Sequence, residues 1–183
     1  MKKFKQILLI LLTAIVLSSC MPYMIKSESD GATKEQQEEV KAQVMSLLKE
    51  EYKQPFKLED FNYKYDTHWK HIDCQIAGYC PKVRYGTYSF KIQAVDNPII
   101  TMKFDIDDEN KDSIKKVIES FKKTQLNKRY CSAFASYYLD IMNYRQQIKQ
   151  PYTSETEKFC DSKDQTEYKD YKNYYLKHKD EYK

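Results

Sequence analysis

Between Tyr88 and Ile106, apolar side chains fall on every second position in two successive runs. Tyr88, Phe90, Ile92 and Ala94 alternate with Ser89, Lys91 and Gln93; after Asp96-Asn97-Pro98, the residues Ile100, Met102, Phe104 and Ile106 repeat the pattern. Successive strand residues point to opposite faces, so each run carries one apolar and one polar face. Asp, Asn and Pro turn a chain between such runs because they tolerate or pre-set turn dihedrals. The pattern predicts an antiparallel hairpin whose apolar face must be covered by other parts of the chain.

Cover is predicted on both sides of it. Thr33-Lys34-Glu35-Gln36 has the spacing of a capping box, and Val40, Val44, Leu47 and Leu48 recur at helical intervals. Residues 34–52 are therefore expected as an amphipathic helix, ended by Pro55. Phe61, Tyr63 and Tyr65 alternate with Asn62, Lys64 and Asp66, which predicts a third strand. Beyond the hairpin, Asp107-Asp108-Glu109 suits the positive end of a helix dipole, and Ile114, Val117, Ile118 and Phe121 form its apolar stripe. Tyr130, Phe134, Tyr138, Ile141 and Ile148 mark a further helix over 128–149, which Pro151 stops. Ser154 to Glu157 repeats the capping-box spacing before a short helix around Cys160, and Tyr168, Tyr171 and Tyr175 share one face of a tail helix. The expectation is an α+β domain: an N-terminal helix, a three-stranded antiparallel sheet, then C-terminal helices. Cystatin-like and nuclear-transport-factor-like folds share this helix-then-sheet order, an analogy that carries no function.

The first twenty residues follow different rules. Lys2, Lys3 and Lys5 precede an apolar run from Ile7 to Leu17 that only Thr13 interrupts, and Ser18, Ser19 and Cys20 follow. The run is too short to cross a hydrocarbon core, which needs about 20 residues, and has the anatomy of a signal peptide. Leu17-Ser18-Ser19-Cys20 resembles the lipobox of a bacterial lipoprotein precursor. The resemblance implies removal of residues 1–19 and lipid attachment to the Cys20 thiol. Residues 20–33 would then be a lipid-anchored tether, and 34–183 a single domain. It also implies a place in the bacterial cell envelope, at the outer membrane if the cell has two, because Met21 stands where an Asp would favour inner-membrane retention. Two or three acyl chains anchor stably where one binds only marginally. The other reading is a secreted protein cut nearby, with Cys20 left for a disulfide.

Loss of the leader changes the charge and cysteine arithmetic. Without Lys2, Lys3 and Lys5 the formal charge of +4 falls to +1, which does not fit a nucleic-acid binder. Cys74, Cys80, Cys131 and Cys160 remain, an even set in an oxidising compartment, and they read as two disulfides with three possible connectivities. Cys74–Cys80 with Cys131–Cys160 is the favoured pairing. His68, His71, Cys74 and Cys80 also have a spacing that could enclose zinc, but oxidation would remove both thiolate ligands. His68 and His71 stay as the weak metal candidates.

Other chemistry finds little support. Asp105, Asp107, Asp108, Glu109 and Asp112 form an acidic run without the glycine and bidentate Glu of an EF-hand, and read as a solvated strand-to-helix turn. His68, His71 and His178 are the only histidines, and no nucleophile signature accompanies them. No motif demands a cofactor. With 17 Tyr in the chain, the tail rings Tyr168, Tyr171, Tyr174 and Tyr175 are candidate interface residues. Tyr supplies contact area with few rotors to freeze. The competing reading docks the tail on its own domain, with the rings as core. The expected function is a non-catalytic, membrane-anchored module that binds or blocks a protein partner, such as a toxin-immunity or assembly factor. The alternatives are a small-molecule or metal-binding lipoprotein and, behind it, an envelope hydrolase.

Overall fold

The structure is a computed structural model and describes residues 25–70, 81–109, 114–144, 154–163 and 165–182. Helix α1 (Lys34–Tyr52) begins as its sequence dictates. The Gln36 N–H donates to the Thr33 hydroxyl and the Gln36 side chain accepts from the Thr33 N–H, completing the capping box. Val40, Val44 and Leu48 face inward on successive turns, and Lys53 closes the helix in the left-handed region at φ 53°.

The sheet is built on a central strand. Strand β3 (Lys82–Ala94) pairs antiparallel with β2 (Phe56–Trp69) on one side and with β4 (Thr101–Asp107) on the other. Phe61, Phe90 and Phe104 lie in one cross-strand row. Strand β2 starts five residues before the alternation that predicts it. A bulge between Leu58 and Asp60 shifts the phase, so Leu58 and Phe61 both pack on the core side. The β3–β4 turn forms as expected, with Asn97 buried inside it.

Two corrections to the sequence expectation follow. The sheet has four strands, because β1 (Lys26–Ser27) pairs parallel to β3 at Val83 and Arg84, on the edge that β4 leaves free. The stretch expected as tether is thus bound to the domain from Lys26 onward. Tyr65 donates to the Ser29 carbonyl at 3.0 Å, and Tyr63 accepts from the Ala32 N–H at 2.7 Å. A two-residue parallel strand has no periodicity to betray it. The second correction joins two helices. α2 (Ile114–Phe121) runs through a π turn (Lys122–Leu126) into α3 (Asn127–Tyr144) with helical backbone at both junctions.

Gly86 is required where it stands. The Tyr63 ring lies across it, and a Cβ there would collide with the ring and its hydroxyl. Helices α4 (Ser154–Asp161) and α5 (Thr166–His178), with a final 3₁₀ turn (Lys179–Tyr182), complete the helical layer. Val44, Leu48, Ile92, Ile100, Met102, Leu126, Phe134 and Tyr168 are essentially fully buried and belong to one core shared by sheet and helices.

Candidate functional site

Helix α5 packs against a pair of helices that are bridged to each other. A disulfide joins Cys131 of α3 to Cys160 of α4, with Cα atoms 5.6 Å apart and neither residue exposed. Lys172 of α5 reaches Asp161 at 2.7 Å and Glu157 at 2.9 Å, both on α4. Burial works against the Lys172 charge, but these two carboxylates outweigh it and hold the pKa above the usual lysine value. Tyr168 fills the space between, its ring 5.6 Å from Phe134 and its hydroxyl donating to Asp161 at 3.3 Å. Burial pushes that hydroxyl up to about 12.

The four tail tyrosines therefore divide. Tyr168 is fully buried, so the interface reading is corrected for this ring: it is core. Tyr171 and Tyr175 are half-buried against the core, Tyr175 with its centroid 5.3 Å from Tyr138. Tyr174 is 53% exposed and stacks on His178 at 4.6 Å; Leu176, two residues on and therefore on the opposite flank of the helix, is 48% exposed. The exposed flank of α5 that carries Tyr174 thus presents an aromatic ring on a helix whose core-facing side is locked.

A second feature lies where α1 ends. Tyr52 stacks on Tyr130 at 3.8 Å with rings nearly parallel, and Phe159 stands edge-on to both. These rings border a cleft of about 390 Å³ whose rim carries Glu51, Asp96 and Glu155. Beneath it runs a buried polar chain. Asn97 donates to Gln54, Gln54 donates to the Tyr130 hydroxyl at 2.6 Å, and that hydroxyl shares a hydrogen bond of 3.2 Å with Thr156. Burial raises the pKa of both Tyr52 and Tyr130. No local spacing announces this cleft, because its members come from distant parts of the chain.

The acidic run does not gather around an ion. Asp105, Asp107 and Glu109 are exposed, and Asp107 accepts from the Thr87 hydroxyl. Asp108 departs from the expected solvated turn. It is partly buried, and one carboxylate oxygen accepts from the Ser29 hydroxyl at 2.8 Å and from the Gly86 N–H at 2.5 Å. It thereby fastens the N-terminal strap to the junction of β3 and β4, beside a cavity of about 210 Å³ lined by Ser29, Gln36, Val40 and Tyr88. Burial raises its pKa, partly offset by those two donors.

Asp108→Ala is expected to destabilise by about 1–3 kcal/mol, because two donors lose their acceptor. Asp108→Asn keeps the oxygen and removes the buried charge, so it should be close to neutral. A carboxyl whose folded pKa is raised binds its proton more tightly in the folded state. Its own contribution to stability therefore increases as pH falls through that raised value toward 3.8, the ordinary value. Denaturant titrations across this range should find that component in the native chain and not in Asp108→Asn.

Of the remaining candidates, His68 stacks on Tyr85 at 3.8 Å with its Nε2 buried. Cys20, His71, Cys74 and Cys80 lie outside the described residues, as does Asp112. Among the described residues, no cluster of three or more His, Cys, Asp or Glu could hold a metal ion, and no helix is long and apolar enough to cross a membrane. No family model, no curated protein and no solved structure matches this chain.

Proposed function

We propose that this chain is a lipid-anchored lipoprotein of the bacterial cell envelope and that it binds or blocks a protein partner without catalysis. The observation that carries the partner reading is the exposed flank of α5. Tyr174 projects from a helix that Tyr168 and Lys172 dock on α3 and α4, which the Cys131–Cys160 bridge ties together. A pre-ordered helix presenting an aromatic anchor loses little entropy on binding, which suits helix-mediated recognition. Toxin immunity and assembly of an envelope complex both belong to this class. The anchor reading rests on Leu17-Ser18-Ser19-Cys20 behind the apolar run.

Two variants test it. Cys20→Ala should block lipid attachment and leave uncut precursor or a soluble form; membrane fractionation and maturation like the native chain would defeat the anchor. Tyr174→Ala with Leu176→Ala should weaken partner binding by roughly thirtyfold, the equivalent of about 2 kcal/mol for one aromatic hot spot. The melting temperature should stay as it is, because neither side chain is buried. Undiminished binding by the double variant would remove α5 as the contact.

The cleft bordered by Tyr52, Tyr130 and Phe159 favours a second reading, a small-molecule carrier. Concave sites lined by aromatic rings with a few fixed polar groups are how proteins hold small ligands.

A further inference from the structure

We propose that the end of the sheet formed by Ile25, Lys26, Trp69, Lys70, Lys82 and Arg84 is a docking surface for an anionic lipid bilayer. This rests on the anchor reading above and adds an orientation to it. Trp69 and Lys82 are paired across β2 and β3, and the register of β1 sets Ile25 beside Lys82. The three therefore form a row across adjacent strands at one end of the sheet. Trp69 is 54% exposed and Ile25 43% exposed, two of the few large apolar side chains that face solvent among the described residues. The Lys82 ammonium lies 4.4 Å from the centre of the Trp69 ring. Among the described residues, Lys26 and Lys70 share one carboxylate, Glu28, so the four basic side chains of this end outnumber it. Backbone bonding of the Lys70 N–H to the Pro81 carbonyl at 3.0 Å and of the Glu28 N–H to the Arg84 carbonyl at 2.8 Å keeps it firm.

Distance makes a bilayer the natural occupant. Lys26 is already fixed in β1, and only residues 21–25 separate it from Cys20. An extended chain covers at most about 3.3–3.6 Å per residue, so this sheet end stays within roughly 20 Å of the lipidated sulfur. The headgroup layer itself takes up about 5–8 Å of that span. A tryptophan among lysines is the composition that settles at such an interface, the ring at headgroup depth and the ammonium groups on anionic lipid. The aromatic cleft lies by the opposite end of β2. Thirteen steps along the strand at about 3.3 Å each set it roughly 43 Å from this surface.

Trp69 is the only tryptophan in the chain, so its fluorescence reports on this surface directly. The lipidated chain would be reconstituted into vesicles of phosphatidylcholine, with or without phosphatidylglycerol, that contain lipids brominated just below the headgroup. In the anionic vesicles, Trp69 emission should move to shorter wavelength and be quenched by the bromines. Lys70→Glu with Lys82→Glu, at unchanged melting temperature, should weaken that contact by about thirtyfold, since each basic residue near an anionic surface contributes roughly fivefold. A lipidated, vesicle-bound chain whose Trp69 stays open to an aqueous quencher in both membranes overturns this inference alone. An N-terminal peptide mass showing unmodified Cys20 overturns the anchor and the docking surface together.

Discussion

Replacing Tyr168 by Ala is expected to lower stability by about 3–5 kcal/mol, the range for removing a large buried aromatic ring. The ring has no exposed surface and packs on Phe134 and Tyr138, and its hydroxyl is bonded to Asp161. For a domain of this size each kcal/mol moves the melting temperature by about 2–4 °C, so the variant should melt roughly 10 °C lower. Tyr174→Ala, six residues along the same helix, should stay within about 0.5 kcal/mol of the native chain. A circular-dichroism melt of the two variants side by side separates the core side of α5 from its exposed side. Equal melts would mean that α5 is not docked as described.

The second large effect concerns Cys131 and Cys160. Their bridge spans 29 residues of sequence and ties α3 to α4. Chain-entropy estimates for a loop of this length give about 3.5 kcal/mol. Cys131→Ala with Cys160→Ala should cost a comparable amount and loosen α5, because the Lys172 pairs with Asp161 and Glu157 depend on where α4 sits. Hydrogen exchange should then speed up in α4 and α5 before it does in β3. If the variant melts with the native chain, the bridge contributes no constraint that the helical packing does not already supply.

Most of the fold was legible because its elements carry their own period. The capping box at Thr33, the alternation through β3 and β4 and the stripe from Ile114 to Phe121 all appear in the structure as the local pattern implies. Features whose decisive contact is remote leave no such local pattern. β1 is two residues of strand made by a partner 57 residues away, and Asp108 reads as solvated until Ser29 and Gly86 are brought to it. The bulge at Leu58 hid the first third of β2 by breaking its alternation. In the tail, equal helical spacing of Tyr168, Tyr171 and Tyr175 could not say how deep each ring lies. The candidate site was correspondingly half legible: the tyrosines were visible, the division between Tyr168 and Tyr174 was not. The cleft around Tyr52, Tyr130 and Phe159 had no local signature at all.

Partner recognition through the exposed flank of α5 is tested most directly by placing a photo-activatable crosslinking residue at position 174 in the lipid-anchored chain and illuminating intact cells. Side chains at this position point away from the core, so the probe should leave the fold unchanged. One discrete crosslinked protein is expected from position 174, and it should be lost when the probe is moved to an exposed position on α1 such as Glu39. No adduct from position 174, or the same adducts from both positions, would contradict it.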